Sequence, residues 1–315
     1  MRNAFAAELI ALASTDERIV LLSGDIGNRL FDEFKDRFGK RFLNCGVAEA
    51  NMISMASGMA LCGLRPIAYT ITPFITTRCL EQIRIDICYH NVPVIIVGVG
   101  SGLSYASLGA THHSCEDIGL LRMLPNMTIV CPGDKWEVRL ALRAALQYEM
   151  PVYIRLGKKG EPVVYDQAPD FVIGKGIVVR GGHGICLLST GNMLPVALQA
   201  ANELSQKGVS AQVVSMHTVK PLDEELMAAV FSGFNVVSSV EEHSLLGGLG
   251  GSVAEWLADQ PPQKARLLRI GTADRFLRCS GGQDYARKYF GLTPEVIADK
   301  IWQMYQASVS GGVTP

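Results

Sequence analysis

Short runs of Val, Ile and Leu recur along the chain at intervals that leave room for one helix between neighbours. RIVLLSG, RPIAYTI, VPVIIVGV, NMTIVCP and PVYIRLG are continuous apolar stretches. That is the pattern of strands buried on both faces; half-exposed strands alternate. Between these runs, FAAELIALAS, the segment around Glu49, RCLEQIRIDICYH, EDIGLLRML and WEVRLALRAALQYE space their apolar residues as helices do. Strand and helix alternating in this way imply βαβ units, a mostly parallel sheet and right-handed crossovers. After Arg155 the pattern breaks. KKGEPVVYDQAPDFVIGKGIVVRGGHG is rich in Gly, Pro and charge, and reads as a linker with short strands. A second unit follows, with strands in GICLLST, AQVVSM, NVVSSVEE and ARLLRIG. Its helices fall in ALQAANELSQ, DEELMAAVF, GGLGGSVAEWLA and TPEVIADKIWQMY. The expectation is an α/β chain of two domains, residues 1–160 and 184–315, each a mostly parallel sheet flanked by helices, joined by a linker over 161–183. The tail ASVSGGVTP is expected to fray.

The length of 315 residues suits about two domains. Hydrophobic residues make up 48% and charged residues 19%, as expected for buried sheets. A mean hydropathy of +0.21 fits either a surface covered by a partner or a large core. The formal net charge of -1 provides no global field to attract nucleic acid or an acidic membrane. No apolar run reaches the ~18 residues of a membrane span, and the first segment, MRNAFAAELIALASTDERIV, reads as helix then strand without a signal-peptide pattern. The cysteines Cys45, Cys62, Cys79, Cys88, Cys115, Cys131, Cys186 and Cys279 show no CxxC spacing and most sit in apolar runs. They read as small buried hydrophobes of a protein in a reducing cytoplasm, not as a disulfide frame or a zinc site.

One charged residue stands out. In NCGVAEANMISMASGMALCG, Glu49 opens an otherwise apolar helix and no cation lies near it in sequence. Desolvation in such a place disfavours the charged carboxylate and is expected to raise its pKa. A carboxyl that keeps or shares a proton can donate to a ring nitrogen. The plainer alternative is an acidic residue complementing the helix dipole.

Four motifs in order then resemble one family. GVAEANMISMASGMA is similar to the G-x-x-E-x-x-M block of transketolases, and LGATHHSCEDIGLLRMLPNMTIVCPGD to their G-x-T-H block. VEEHSLLGGLGGSVAE and GTADRFLRCSG resemble motifs of their C-terminal domain. The order also resembles 1-deoxyxylulose-5-phosphate synthase and pyruvate dehydrogenase beta subunits. The resemblance covers nearly the whole chain, as a pyrimidine-binding domain followed by a transketolase C-terminal domain, and is nearest to the C-terminal subunit of a split transketolase. The family's diphosphate-binding domain carries a GDG motif that this chain lacks; Gly24-Asp25 and Gly133-Asp134 are followed by Ile26 and Lys135. The resemblance therefore implies a partner N-terminal subunit holding Mg²⁺ (or Ca²⁺) and the diphosphate of thiamine diphosphate (ThDP), and a heterotetramer with its active sites between chains.

It also assigns roles. Glu49 would hydrogen-bond the ThDP pyrimidine, favouring the imino tautomer that activates the cofactor's carbon. Phe74 would stack on the same ring, with Tyr69 a second aromatic, against the alternative of a core Phe. His112 would stand near the cofactor amino group and the substrate. His113 lies where relatives usually have Gln and joins the substrate-binding set, as does Ser101. Asp25 would lie near the cofactor, or else cap the following helix. Arg2 and Arg155 would reach the substrate's distal phosphate, with Arg29 able to join them; surface ion pairs are the alternative. Two departures matter. Where transketolases place a His and an Asp that bind the sugar, this loop has Gly100 and Leu108, with Ser101, Ser104, Tyr105 and Ser107 beside them. That implies an atypical sugar. His243, at the head of the GGLGG turn, is expected to be structural. The activity implied is ketol transfer from a ketose phosphate to an aldose. A 2-oxoacid decarboxylase or dehydrogenase beta subunit is the alternative enzyme, and a non-catalytic scaffold the alternative from another class.

Overall fold

A computed structural model describes residues 1–26, 29–158 and 160–310. In the first sheet β1 (Ile19–Ser23), β2 (Phe42–Asn44), β3 (Arg65–Ile71), β4 (Ile95–Val99), β5 (Thr128–Val130) and β6 (Val152–Leu156) run parallel in the order β5-β6-β4-β3-β1-β2. β1, β4 and β6 are buried at every position, which is why their sequences are unbroken apolar runs. β2 is a three-residue edge strand, only partly buried, and lies outside any such run. The second sheet contains β7 (Ile177–Arg180), β8 (Ile185–Ser189), β9 (Ala211–Ser215), β11 (Val236–Ser244) and β12 (Arg266–Thr272), in the order β12-β11-β8-β9-β7. β7 comes from the linker segment and pairs antiparallel with β9.

One strand crosses between the units. β10 (Thr218–Lys220) follows β9 in the chain but pairs antiparallel with β5 at the edge of the first sheet. Three residues without a distinctive apolar pattern gave no hint of this. The last helix, Pro294–Ser310, continues into the segment expected to fray, and residues 311–315 of that tail lie outside the described residues.

Helices cover both faces of the first sheet. α1 (Arg2–Ala13) packs with the Lys135–Gln147 helix, where Glu8 receives Arg139 and Arg143. On the opposite face α3 (Glu49–Leu61) buries Met52, Ile53, Ala56 and Ala60. The short α2 (Asp32–Phe38) buries Phe34. All eight cysteines are free thiols, but Cys62 and Cys279 are exposed, not buried as expected. Among the described residues no helix is long and apolar enough to cross a membrane.

The two units are locked by buried charge. Arg155, at 1% exposure, donates through Nε to Asp117 Oδ2 at 2.7 Å and through Nη2 to Asp117 Oδ1 at 3.1 Å. The same Nη2 donates to the carbonyls of Ser114 and Glu242, each at 3.0 Å. Glu242 lies on β11 of the second sheet, and its buried carboxylate accepts from the backbone N–H of Leu103, from Asn192 and from Arg287. Beside it, Glu241 accepts from the N–H groups of Leu249 and Gly250 at the start of the Leu249–Ala258 helix. His243 accepts from the N–H of Gly119 at Nε2, so Nδ1 carries the proton and donates to the Ser244 carbonyl. That is the structural role expected of this histidine.

Asp117 makes the junction sensitive to acid. Burial acts against its charge, but the Arg155 guanidinium and the hydrogen bonds from Arg155 and Tyr153 outweigh this and hold its carboxyl below the usual range. A depressed carboxylate contributes stability above its unfolded pKa and loses it as pH falls through the folded one. Replacing Asp117 by Ala should cost about 3–5 kcal/mol at pH 7, because Arg155 is left buried without its partner. The gap between wild type and variant, read by urea unfolding, should narrow as pH drops below about 4.

Candidate active site

Parallel strands send their C-terminal ends to one edge of the sheet, where open α/β folds bind ligands. Asp25 follows β1, Glu49 follows β2, Phe74 follows β3, Tyr105 and His112 follow β4, and Lys158 follows β6. α1 leads into the start of β1, so its own start, with Arg2, reaches the same edge.

Glu49 is the first residue of α3 and is 4% exposed. No cation lies near Glu49 in sequence, but the fold brings one: Arg78, 29 positions on, donates through Nη1 to Glu49 Oε2 at 2.8 Å. Among the described residues Oε1 has no hydrogen-bond partner. The Arg78 guanidinium also lies 4.3 Å from the centre of the Phe74 ring.

From Phe74 a row of rings crosses the site. Phe74 meets His112 edge to face at 5.2 Å, and His112 meets Tyr105 at 6.0 Å. Lys158 then places its ammonium 4.6 Å from the Tyr105 ring. Three rings are thus capped by a cation at each end. His112 Nδ1 shares a hydrogen bond of 2.9 Å with Thr111 Oγ1. Burial, followed by the charge of His113, lowers the His112 pKa from its ordinary 6.5. Burial raises the Tyr105 pKa, and the nearby positive charge of Arg2 partly opposes this.

Four of the expected site residues lie elsewhere. Arg155 is committed to the domain junction through Nε and Nη2, and its unpartnered Nη1 is buried, so it does not face a substrate phosphate. Its strand position points it into the sheet's covered face, while Lys158, just past the strand, stands at the edge. Tyr69 is fully buried, stacked on Phe5 at 5.6 Å and edge-on to Phe31 at 4.9 Å, so its ring belongs to the core and not to a cofactor site. His113 is buried and its Nε2 hydrogen-bonds the Ala106 carbonyl at 3.2 Å, which makes it a loop brace and not a substrate ligand. Ser101 is buried too, with its backbone N–H on the Leu156 carbonyl, and serves to anchor the loop to β6.

The remaining candidates stay at the edge. Asp25 is exposed and accepts from the Asn44 side chain at 3.1 Å, joining the ends of β1 and β2; the next helix is capped at Phe31 instead. Arg29 is exposed in left-handed backbone, with φ of 67°, and no hydrogen bond among the described residues ties its side chain to the ring row. Sequence reading missed Arg78 and Lys158. Arg78 stands four residues after Phe74, in the turn that follows the short Thr72–Ile75 helix, and Lys158 is a cation just past a strand end. No group of three or more His, Cys, Asp or Glu that could hold a metal occurs among the described residues.

Comparison with known proteins agrees with this geometry. Residues 1–161 match the transketolase pyrimidine-binding domain and residues 174–297 the transketolase C-terminal domain. The chain belongs to the transketolase family. A protein of Methanocaldococcus jannaschii named for a transketolase C-terminal section is 38% identical, over 96% of this chain and 95% of that one. The 6-deoxy-6-sulfo-D-fructose transketolase subunit SqwH of a Clostridium species is 35% identical over 94% of this chain and 92% of its own length. A solved structure described as a split gene transketolase, inactive beta4 tetramer, superposes with a TM-score of 0.88 at 33% identity, covering 98% of each chain. Against a 1-deoxy-D-xylulose-5-phosphate synthase of Geobacter sulfurreducens, 94% of this chain spans 48% of the relative's length.

The lowered His112 pKa leads to a measurable outcome. In an NMR titration its midpoint should fall below 6.5. His113→Gln removes the neighbouring charge and should move that midpoint upward; an unchanged midpoint would show that the two rings do not interact.

Proposed function

We propose that this chain is the C-terminal subunit of a split, ThDP-dependent transketolase, moving a two-carbon ketol unit from a ketose phosphate to an aldose. The reading rests most on the cation-capped row from Arg78 and Phe74 through His112 to Tyr105 and Lys158, with Glu49 at one end. Glu49 offers an open carboxylate oxygen and Phe74 a partly exposed ring, which fits an aminopyrimidine carrying one hydrogen-bonding ring nitrogen above an aromatic face. When bound, ThDP supplies a nucleophilic carbon and a sink for the electrons of the ketol unit. Glu49 holds a proton at the pyrimidine nitrogen, and Arg78 and the helix N-terminus fix the position of its carboxylate. His112, with its lowered pKa, presents a neutral imidazole able to give or take a hydrogen bond at the sugar's reacting hydroxyls. Asp25 joins the cofactor side of the edge. Arg2, with Lys158 in the place expected of Arg155, supplies positive charge for the distal phosphate or sulfonate.

The diphosphate and its Mg²⁺ (or Ca²⁺) belong, in this reading, to a second chain. α3 and the loop before it support it: near the buried Glu49 they leave Met55 and Val47 exposed, Val47 at 79%, and Leu61 at the far end of the helix is exposed at 66%. Apolar side chains grouped at the mouth of a site mark a surface that a protein partner covers. A heterotetramer of two chains of each kind follows. Eight free thiols fit a cytoplasmic location. Relatives named for sulfofructose and for apulose 4-phosphate support an atypical sugar.

Calorimetry with ThDP and Mg²⁺ should show tight binding by the complex with the partner subunit and weak binding by this chain alone. Glu49→Ala in the complex should reduce ketol transfer by about a hundredfold or more. Tight binding to the isolated chain would refute the divided site, and full activity in the variant would refute the role of Glu49.

A further inference from the structure

Gly100 follows β4 directly, with a φ of 77°, and a Cβ built there would lie 1.9 Å from the Tyr105 ring. The ring therefore occupies the volume that a side chain at position 100 would need. Only glycine at 100 admits Tyr105 in this place, on grounds of both backbone conformation and space. The two residues form a matched pair.

The ring is held firmly. The Leu103 N–H binds Glu242, the Ala106 N–H binds the Leu103 carbonyl, and the Leu108 N–H closes a turn onto the Tyr105 carbonyl at 2.8 Å. Gly102 and Ser114 exchange backbone hydrogen bonds at 2.9 Å each, closing the base of the loop. Tyr105 is half-buried, with His112 on one side and Lys158 on the other. It thus offers an apolar ring, partly covered by the Lys158 ammonium, and a single hydroxyl.

We propose that Tyr105, seated over Gly100, is a specificity-determining residue, the wall against which the carbons of the sugar between the reacting carbonyl and the distal anion are selected. The proposal rests on the ketol-transfer reading of the site. A wall of this kind recognises a ketose phosphate by shape, by contact between C–H groups and the ring face, and by one hydrogen bond. A loop with two polar side chains would demand a fuller set of hydroxyls, because a site built to bind a hydroxyl rejects sugars that lack it or turn it away.

The test uses the complex with its partner subunit and three donors: xylulose 5-phosphate, fructose 6-phosphate and sedoheptulose 7-phosphate. kcat and KM are measured for wild type, Tyr105→Phe, Tyr105→Ala and Gly100→Ala. Tyr105→Ala should change the ratios of kcat/KM among donors by about tenfold or more, mainly through KM. Gly100→Ala, which displaces the ring, should shift the ratios in the same direction, and Tyr105→Phe should isolate the part owed to the hydroxyl. A uniform fall for all donors, or no change, in both Tyr105→Ala and Gly100→Ala would overturn the specificity role and leave the functional reading intact. Failure of the wild-type complex to transfer a ketol unit from these donors and from 6-deoxy-6-sulfofructose and apulose 4-phosphate alike would overturn both.

Discussion

The site depends on one buried carboxylate, Glu242. It belongs to the second sheet, yet the groups it binds include the Leu103 N–H at the base of the loop that carries Tyr105 and His112. A Cβ on Gly102 would lie 2.6 Å from the same carboxylate, so the loop approaches it as closely as backbone can. Desolvating such a charge is costly unless it is fully bonded. Here Asn192, Gln283 and Arg287 complete the set. The C-terminal half therefore contributes no ring to the row and still determines where two of its rings stand.

Arg155 serves the junction from the other side. It ties Asp117, the Ser114 carbonyl and the Glu242 carbonyl into one node, so the ends of the same loop are held by the first sheet as well. Rigid support of this kind suits a site whose catalytic carbon belongs to a bound cofactor, where the protein's task is placement. Its cost is sensitivity: a single lost partner leaves a buried charge. The other end of the row has no comparable support within this chain. Phe74 and Arg78 are held there chiefly by each other and by Glu49 at the start of α3.

The fold was largely legible because a doubly covered parallel sheet writes itself into sequence as unbroken apolar runs. β1, β3, β4, β6, β8 and β9 each lie within a predicted stretch. β2 and β10 did not show, since neither lies in an unbroken run of Val, Ile and Leu as the equally short β5 does, and the pairing of β10 with β5 is non-local. Glu49, Phe74 and His112 were legible from motif and chemistry, and the structure brings them to one edge. Arg155 and Tyr69 were misplaced because residue type reveals nothing about direction. Arg155 belongs to a strand whose every side chain is covered, and Tyr69 faces Phe5 and Phe31.

The chain by itself determined the α/β class, the two units, the free thiols and the presence of an acidic residue at the head of an apolar helix, because these follow from periodicity and composition. Tertiary structure decided which charges meet. Arg78 reaches Glu49 across 29 positions, and Arg155 reaches Asp117 across 38. It also decided that Tyr105 fills the space over Gly100. Ion pairs and steric exclusion act through distances of a few ångström, and those distances exist only after the chain has folded.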